Sequence, residues 1–369
     1  PRCSRSPASS TTRCSRRSRW RPDAGAANFQ MIVIDGSFGE GGGQIIRTSL
    51  ALSLVTGKPF RVERVRARRE RPGLQRQHLT AVRAAAEVGR ARVEGAHVGA
   101  REFSFEPGEV SPGDYTFAVG TAGSTTLVLQ AVLPPLMIAR APSLLTLEGG
   151  THNVHAPPFD FIQKAFLPLV NRTGPRVSVE LARYGFYPPG GGRLQVFIEP
   201  TSERRRLDLD ERGRVRRRLA RALVVKIPPA VAERELAVVR GRLGWSGDEL
   251  TVATSNNALS PGNVLTLEVE TEHLTELFTG VGERGVRAEA VAERACDEMR
   301  AYLDAAAPVG EHLADQLLLP LALSAGGSYV TGAPSPHTTT NIEIIKKFLD
   351  VRITRTQLSE RQWRIEVKP

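Results

Sequence analysis

A chain of 369 residues, 41% apolar and 24% charged, is long enough to bury a large core and to form two domains, or one domain carrying a large insertion. No apolar run approaches the roughly 18 residues of a helical membrane span, so no membrane partner is expected. A formal net charge of +11 permits a polyanionic ligand such as RNA or a nucleotide without demanding one, because scattered arginine is often only solvated surface.

The first 30 residues differ in character from the rest. They hold seven Arg, one Asp and two of the three Cys, and so carry +6 of the +11. Such a segment has the composition of an Arg-rich, acid-poor transit peptide. The reading preferred is a disordered or wrongly assigned leader over residues 1–30, with Met31 as the effective start. From Met31 onward the net charge is +5 and Cys296 is the only cysteine, which excludes a disulfide framework and a Cys-based zinc site and fits the reducing cytoplasm.

Residues 31–35 predict a buried strand, followed by a glycine-rich stretch and a helix over 44–56 with apolar Ile45, Ile46, Leu50, Leu54 and Val55. A strand over 60–65, a helix over 78–88 and strands over 91–98 and 102–105 complete a β-α-β-α-β-β unit. The pattern recurs as strand 115–119, helix 124–138, strand 144–147, helix 159–171 and strands 177–182 and 194–198. A third copy closes the chain with helix 311–324, strand 328–331, helix 341–349 and strands 351–356 and 363–367. The predicted fold class is α+β, built from three repeated modules with a period of about 80 residues, each with helices packed on a small sheet. Between the second and third copies an Arg-dense run at 204–206 and 212–221 leads into strand 222–227, helix 230–243, strand 264–271 and helix 288–303, a smaller α/β insert. The predicted division is residues 31–205 for modules one and two, 206–306 for the insert and 307–369 for the third module.

Several strand-to-helix junctions carry chemistry. In Gly39-Glu40-Gly41-Gly42-Gly43-Gln44 the glycines allow a phosphate close to the backbone at a helix N-terminus. It is not a P-loop, since no G-x-x-x-x-G-K-[ST] occurs in the chain. A carboxylate in such a loop suits a hard divalent cation, so Glu40 is the candidate metal ligand. Arg66, Arg69, Arg71 and Arg76-Gln77-His78 lead to the next helix start, where arginine forks suit phosphate. Gly120 to Ser124, and Thr151 to Pro158 with His152 and His155, occupy the equivalent junctions of the second module. Three-residue His spacing without a third ligand is a weak metal signal. In the third module His337 precedes Thr340 and Glu343, whose capping-box spacing predicts a helix start near Thr340 and a histidine held in the preceding loop. Alone, His-Thr-Thr-Thr is more often a hydrogen-bonded loop histidine than a nucleophile. Ligands of open α/β sheets sit beyond strand C-termini, so these loops are expected to share one cleft.

Taken together these segments resemble the RNA 3′-terminal phosphate cyclase family. The motifs that carry the resemblance are Asp35-Gly36 with Glu40-Gly41-Gly42-Gly43-Gln44, Arg71-Pro72-Gly73-Leu74-Gln75-Arg76-Gln77-His78-Leu79, and Gly123-Ser124 through Gln130. With them stand Ala156-Pro157-Pro158 with Asp160-Phe161, Gly185-Phe186-Tyr187-Pro188-Pro189-Gly190-Gly191-Gly192, His312-Leu313-Ala314-Asp315-Gln316, and His337 with Thr340-Asn341. The resemblance covers essentially everything after residue 30. It implies three α+β units with a smaller insert, and an ATP-dependent RNA-processing ligase acting in three steps. His337 would attack the α-phosphorus of ATP, expel pyrophosphate and carry a covalent AMP. The AMP would pass to an RNA 3′-phosphate, giving RNA(3′)pp(5′)A, and the vicinal 2′-hydroxyl would then close a 2′,3′-cyclic phosphate and release AMP. Glu40 would bind Mg2+ or Mn2+, while Gln130, Pro157, His312, Leu313, Ala314, Asp315 and Gln316 would form the nucleotide pocket. Arg47, Arg66, Arg69, Arg76, Gln77 and His78 match positions that handle phosphate or the RNA end.

The chain departs from the pattern at His312, where the family commonly has Tyr, and at Tyr184, where it usually has Arg or His. An imidazole stacks on adenine with less area than a phenol ring, which bears on nucleotide affinity or selectivity. The alternatives are a non-catalytic, RNA-binding ribosome-assembly relative of the same fold and another transferase on similar repeats. The first lacks the nucleophile, so His337 with Glu40 favours the enzyme. The sequence carries no signal of oligomeric state.

Overall fold

The computed structural model describes residues 30–369, so all but the last residue of the expected leader lies outside the described residues. The described residues form a mixed α+β fold with four four-stranded sheets. Among the described residues no helix is long and apolar enough to cross a membrane.

The first unit runs β1 (Ile32–Asp35), α1 (Gly43–Thr56), β2 (Phe60–Glu63), α2 (Arg76–Val88), β3 (Arg92–Glu94) and β4 (Phe103–Glu106). The second runs β5 (Asp114–Ala118), α3 (Thr125–Met137), β6 (Ser143–Gly149), α4 (Phe159–Phe161), α5 (Leu167–Arg172), β7 (Arg176–Arg183) and β8 (Gly192–Glu199). After β9 (Leu207–Leu209) come β10 (Val215–Val225), α6 (Ala230–Leu243), β11 (Leu250–Ser255), β12 (Gly262–Thr271), β13 (Thr275–Val281) and α7 (Ala288–Ala305). The chain closes with α8 (Glu311–Leu323), β14 (Gly327–Thr331), α9 (Pro336–Phe348), β15 (Arg352–Gln357) and β16 (Trp363–Lys368).

Three sheets share one pattern. The orders β1-β2-β4-β3, β5-β6-β8-β7 and β9-β14-β16-β15 each pair their first two strands in parallel and the remaining neighbours antiparallel. Alternation explains their faces: along β8, Leu194, Val196 and Ile198 turn inward while Arg193, Phe197 and Glu199 face water. Each such fully buried aliphatic side chain contributes about 1.5–3 kcal/mol. α1 is apolar on nearly every face because it lies between α3 and α9 at the centre of the main core, and Gly57 ends it in a left-handed turn, φ 72°.

The differences from the sequence reading have local causes. No strand was expected over 207–209, residues assigned to the insert, but they form β9, which pairs in parallel with β14, so the sheet that supports α9 takes its first strand from the near side of the insert. The helix expected over 159–171 widens into a π-helical turn at Ile162–Phe166 between α4 and α5; Pro168 follows directly and cannot donate an α-helical hydrogen bond. β11 and β13 were not expected at all. The first is a half-exposed edge strand, and the second buries Glu276 where an apolar residue would signal a strand.

The insert sheet, β11-β10-β12-β13, packs one face on α6 and α7 through Ala222, Leu265, Leu267, Val239 and Met299. Its other face meets the second unit. Leu223, Val225 and Val264 cover Phe186, Lys164 reaches Glu268 at 2.7 Å, and Arg221 approaches Asp160 at 4.0 Å.

Glu235 on α6 is fully buried; its Oε1 accepts from Asn263 Nδ2 at 2.5 Å, and its Oε2 has no partner among the described residues. Burial pushes its carboxyl up from 4.5 to about 8, so the folded state binds the proton more tightly than the unfolded chain. The associated stability is full below the unfolded value and is lost as pH rises toward the folded one. Glu235→Gln is expected to remove that loss: relative to wild type, its melting temperature rises between pH 5 and pH 8 in scanning calorimetry.

Candidate active site

The site forms where α1, α2, α8 and α9 begin. Ser335 caps α9, its Oγ accepting from Thr338 N at 3.2 Å, and Pro336 occupies the first helical position. His337 is therefore the second residue of the helix. The capping box expected at Thr340 and Glu343 does not form, because the true cap lies five residues earlier and a proline at the first turn costs the helix no hydrogen bond. Thr340 serves another purpose: its hydroxyl donates to Pro336 O at 2.7 Å and accepts the Glu40 N–H at 2.9 Å, tying the glycine loop to α9. Gly39, at φ 54°, lies against that hydroxyl, where a side chain would be both strained and obstructed.

A chain of hydrogen bonds fixes the His337 ring. Asp315 on α8 accepts at Oδ1 from Gln44 Nε2 at 2.5 Å and from Asn341 Nδ2 at 3.2 Å. Gln44, on α1, thus turns its amide NH2 toward Asp315 and its Oε1 toward His337 Nδ1, 3.1 Å away. An amide oxygen only accepts, so Nδ1 holds the proton and Nε2 carries the free lone pair. Burial lowers the His337 pKa, Asp315 opposes that shift, and Arg47 and Arg69 add to it, keeping the half-exposed ring neutral near pH 7. Burial in turn raises Asp315, against the two amide donors and His337.

Cations surround this neutral ring. Glu40 Oε2 accepts from Gly42 N at 2.8 Å and lies 3.9 Å from His337 Nδ1; its Oε1 meets Arg69, which also donates to Glu40 O at 3.0 Å. Arg47 donates from Nε to Gln130 Oε1 at 2.8 Å, and burial brings its pKa only to about 10, so it stays charged. His78 takes the Gln75 N–H on Nδ1 at 3.1 Å, and burial together with Arg47 and Arg66 pushes it down to about 3. Its proton therefore sits on Nε2. A side chain at Gly43 would run into both His78 Nε2 and Arg47 Nη1, so these donors converge over the first turn of α1.

The remaining expected residues divide. Gln130 Nε2 donates to Gln316 Oε1 at 3.4 Å, and both line a cleft with Gln44, Arg47, Asp315 and Asn341 on its polar side. Its other walls are apolar, among them Leu133, Met137 and Phe166. Pro157 O accepts from Thr126 Oγ1 at 2.7 Å, and Gln77 Oε1 accepts from Ser124 N at 3.4 Å, joining the second-module loops to α2. His312 and Arg76 are exposed in the first turns of α8 and α2. Leu313 and Ala314 are core residues, and Arg66 spends Nη1 on the carbonyls of Arg71 and Gly73, at 2.6 and 3.1 Å. His152 is buried against Asp160, Nε2 to Oδ2 2.9 Å, while His155 is exposed at φ 63°.

Two participants, Gln44 and Asn341, stand within the motifs quoted from the sequence but were given no role there. The available signal was a polar residue on an otherwise apolar helix face, where a buried amide must find partners. Among the described residues no three His, Cys, Asp or Glu side chains gather to hold a metal. One carboxylate, Glu40, fits Mg2+ or Mn2+ that binds along with substrate phosphates and keeps several waters. A neutral imidazole with a free nitrogen, beside helix N-termini and arginines, can attack a phosphorus centre whose negative charge those groups offset.

The chain matches the model of a family described as RNA 3′-terminal phosphate cyclase over residues 38–355. A Koribacter versatilis (strain Ellin345) protein named RNA 3′-terminal phosphate cyclase is 52% identical over 327 residues, covering 89% of this chain and 92% of the relative. Proteins of the same name from Ectopseudomonas mendocina (strain ymp) and Ralstonia nicotianae (strain ATCC BAA-1114 / GMI1000) are 50% and 51% identical, over 92% and 88% of this chain and 99% and 93% of their own lengths.

The electrostatics of the site predict opposite responses. Arg47→Met is expected to raise the His337 pKa, and Asp315→Asn to lower it further. Imidazole titration by NMR, read against a His337→Gln spectrum for assignment, checks both signs.

Proposed function

The chain belongs to the RNA 3′-terminal phosphate cyclase family, and on that basis we propose that it converts an RNA 3′-phosphate into a 2′,3′-cyclic phosphate at the expense of ATP. One observation carries the reading: the His337 ring is held by Gln44 with its proton on Nδ1, leaving the Nε2 lone pair free as a nucleophile. A purely RNA-binding relative would have no use for an imidazole oriented in this way.

In the first step Nε2 attacks the α-phosphorus of ATP, the bond to the bridging oxygen breaks and pyrophosphate leaves, giving a histidine-AMP phosphoramidate. His337 Nδ1 keeps its proton, donated to Gln44 Oε1, so the positive charge that develops on the ring is met by Asp315 through one amide. Arg47 and Arg69 offset charge on the phosphates, and the first turns of α1 and α9 supply backbone N–H groups. Mg2+ or Mn2+ held at Glu40 would add neutralising charge at the same place. In the second step an oxygen of the RNA 3′-phosphate attacks the AMP phosphorus and the P–N bond breaks. That leaves RNA(3′)pp(5′)A and frees the histidine. In the third the vicinal 2′-oxygen attacks the 3′-phosphorus, loses its proton and expels AMP. Splitting the reaction in this way replaces a hydroxyl attack on an unactivated phosphate with attack on an anhydride.

We assign the nucleotide to the cleft edge bounded by Gln130, Pro157, His312 and Gln316, and the RNA end to the side of Arg76, Gln77 and His78. Neutral His78 suits this, as its Nε2–H donates to a phosphate oxygen without itself titrating near pH 7. The buried free thiol of Cys296 is consistent with work in the reducing cytoplasm.

Incubation with ATP labelled at the α-phosphate, with Mg2+ or Mn2+, is expected to give acid-labile, alkali-stable label on the protein, and none on His337→Ala. Gln44→Leu should slow labelling on the order of 10²-fold, because the ring loses its fixed tautomer. Undiminished label in His337→Ala would assign the nucleophile elsewhere. Label without conversion of an RNA 3′-phosphate to a phosphatase-resistant end would remove the cyclase claim.

A further inference from the structure

Tyr187 is 81% exposed, more than any other large hydrophobic residue among those described. It stands at the tip of the turn between β7 and β8, and that turn is firmly held. The preceding Phe186 is buried and stacks on His152, ring centroids 5.6 Å apart; its carbonyl accepts from Gly190 N at 2.8 Å and from Ser260 Oγ at 3.2 Å. Arg183 Nε donates to Gly191 O across the base of the turn. The backbone therefore presents a phenol ring to water at a defined position.

The turn belongs to a continuous rim. Gly190 lies against Thr121 O and Ala122, with no room for a side chain between them, and Asn153 Nδ2 donates to Ala122 O at 2.6 Å. The same loop reaches α2 through Ser124 N and Gln77, one residue from His78. On the other flank Leu259 of the insert packs on Gly191. The loops at 120–124, 151–157, 183–193 and 256–261 contain no Asp or Glu, although the chain has 39 such residues, while Arg183, Arg193 and His155 are among them. Glu148 of β6 pairs with Arg193 at 3.7 Å beside these loops; an exposed aromatic ring among loops free of Asp and Glu still has the composition of a single-strand nucleic-acid platform, where bases stack.

We propose that Tyr187 is a stacking platform for a base of the RNA strand, one or more nucleotides upstream of the 3′-phosphate. The strand would run from the phosphate at Arg76 and His78, over the 120–124 loop, to the β7–β8 turn. This rests on the cyclase reading for the position of the RNA end. It makes the substrate a single-stranded 3′ end, since a base within a duplex has no free face to offer the ring.

The test is binding, measured by fluorescence anisotropy of a labelled single-stranded RNA ending in a 3′-phosphate. Tyr187→Ala is expected to weaken binding about tenfold, the effect of one lost base stack, with self-adenylylation unchanged; Tyr187→Phe and Tyr187→Trp should bind as wild type does. On an oligonucleotide of equal length whose upstream nucleotides lack bases, wild type and Tyr187→Ala should bind alike. Tryptophan fluorescence of Tyr187→Trp should be quenched by the intact RNA and not by the abasic one. Unchanged RNA binding by Tyr187→Ala, or an equal loss on abasic RNA, would overturn the proposal. Failure of the wild-type protein to cyclise an RNA that it binds would count against the cyclase reading alone.

Discussion

The hydrogen bonds from Asp315 through Gln44 to His337 join three helices that are far apart in the chain, α8, α1 and α9. The seam continues from Asp315 to Asn341 and from Asn341 Oδ1 to Thr48 Oγ1 at 2.9 Å, so a line of polar groups crosses an interface that is otherwise apolar. Inside a core such a line stabilises one arrangement only, because a slip of either helix would strand a buried carboxylate or amide. The same bonds that fix helix packing therefore fix which imidazole nitrogen carries the proton. The glycine loop follows from this: it is tied to α9 at Thr340, and through Glu40 and Arg69 it sets the charge next to the ring.

The two site histidines differ in how they are kept neutral. His78 is shut away with two arginines beside it, and its Nδ1 is occupied by a backbone N–H, so its proton cannot leave Nε2 without leaving the ring. His337 is half exposed and has a carboxylate pulling the other way, so its charge state answers to what enters the cleft. One is a fixed donor and the other a group that can change state during a reaction. That difference arises from position, since both are histidines in the first turn of a helix near Arg47.

Much of this was legible in the sequence because it is written in periodicity and in glycine. The order of elements in the first two units, and the approach of Glu40 to His337, follow from strand-to-helix junctions that recur, whereas Arg47, Gln130 and Asp315 were indicated only by the family resemblance. What escaped was set by partners distant in sequence. A five-residue error in the start of α9 came from trusting Thr340 and Glu343 as a local cap when Ser335 and Pro336 already supplied one. Gln44 looked like the end of a glycine motif until Asp315, 271 positions away, gave its amide a direction. Arg66, Leu313 and Ala314 carry their neighbours' motifs but turn their side chains to backbone carbonyls or the core. β13 was hidden by Glu276, whose burial is made tolerable by the Gly310 N–H at 2.6 Å, a bond that no local pattern announces.

The placement of β9 bears on how the molecule assembles. The sheet behind α9 needs Leu207–Leu209 alongside Gly327–Thr331, and the whole insert lies between them. A ribosome that has released β9 must still make the insert before the sheet can be finished, so the strand waits without its parallel neighbour. A folded insert holds its ends near each other: Arg214 N bonds to Glu272 Oε2 at 3.0 Å at entry, and Gly310 N bonds to Glu276 Oε1 at exit. It thereby acts as a compact splint, whereas the same residues unfolded would be a long loose loop with the entropy of closure set against the sheet. The closure of the sheet behind α9 therefore depends on how compactly the insert between its first two strands is folded.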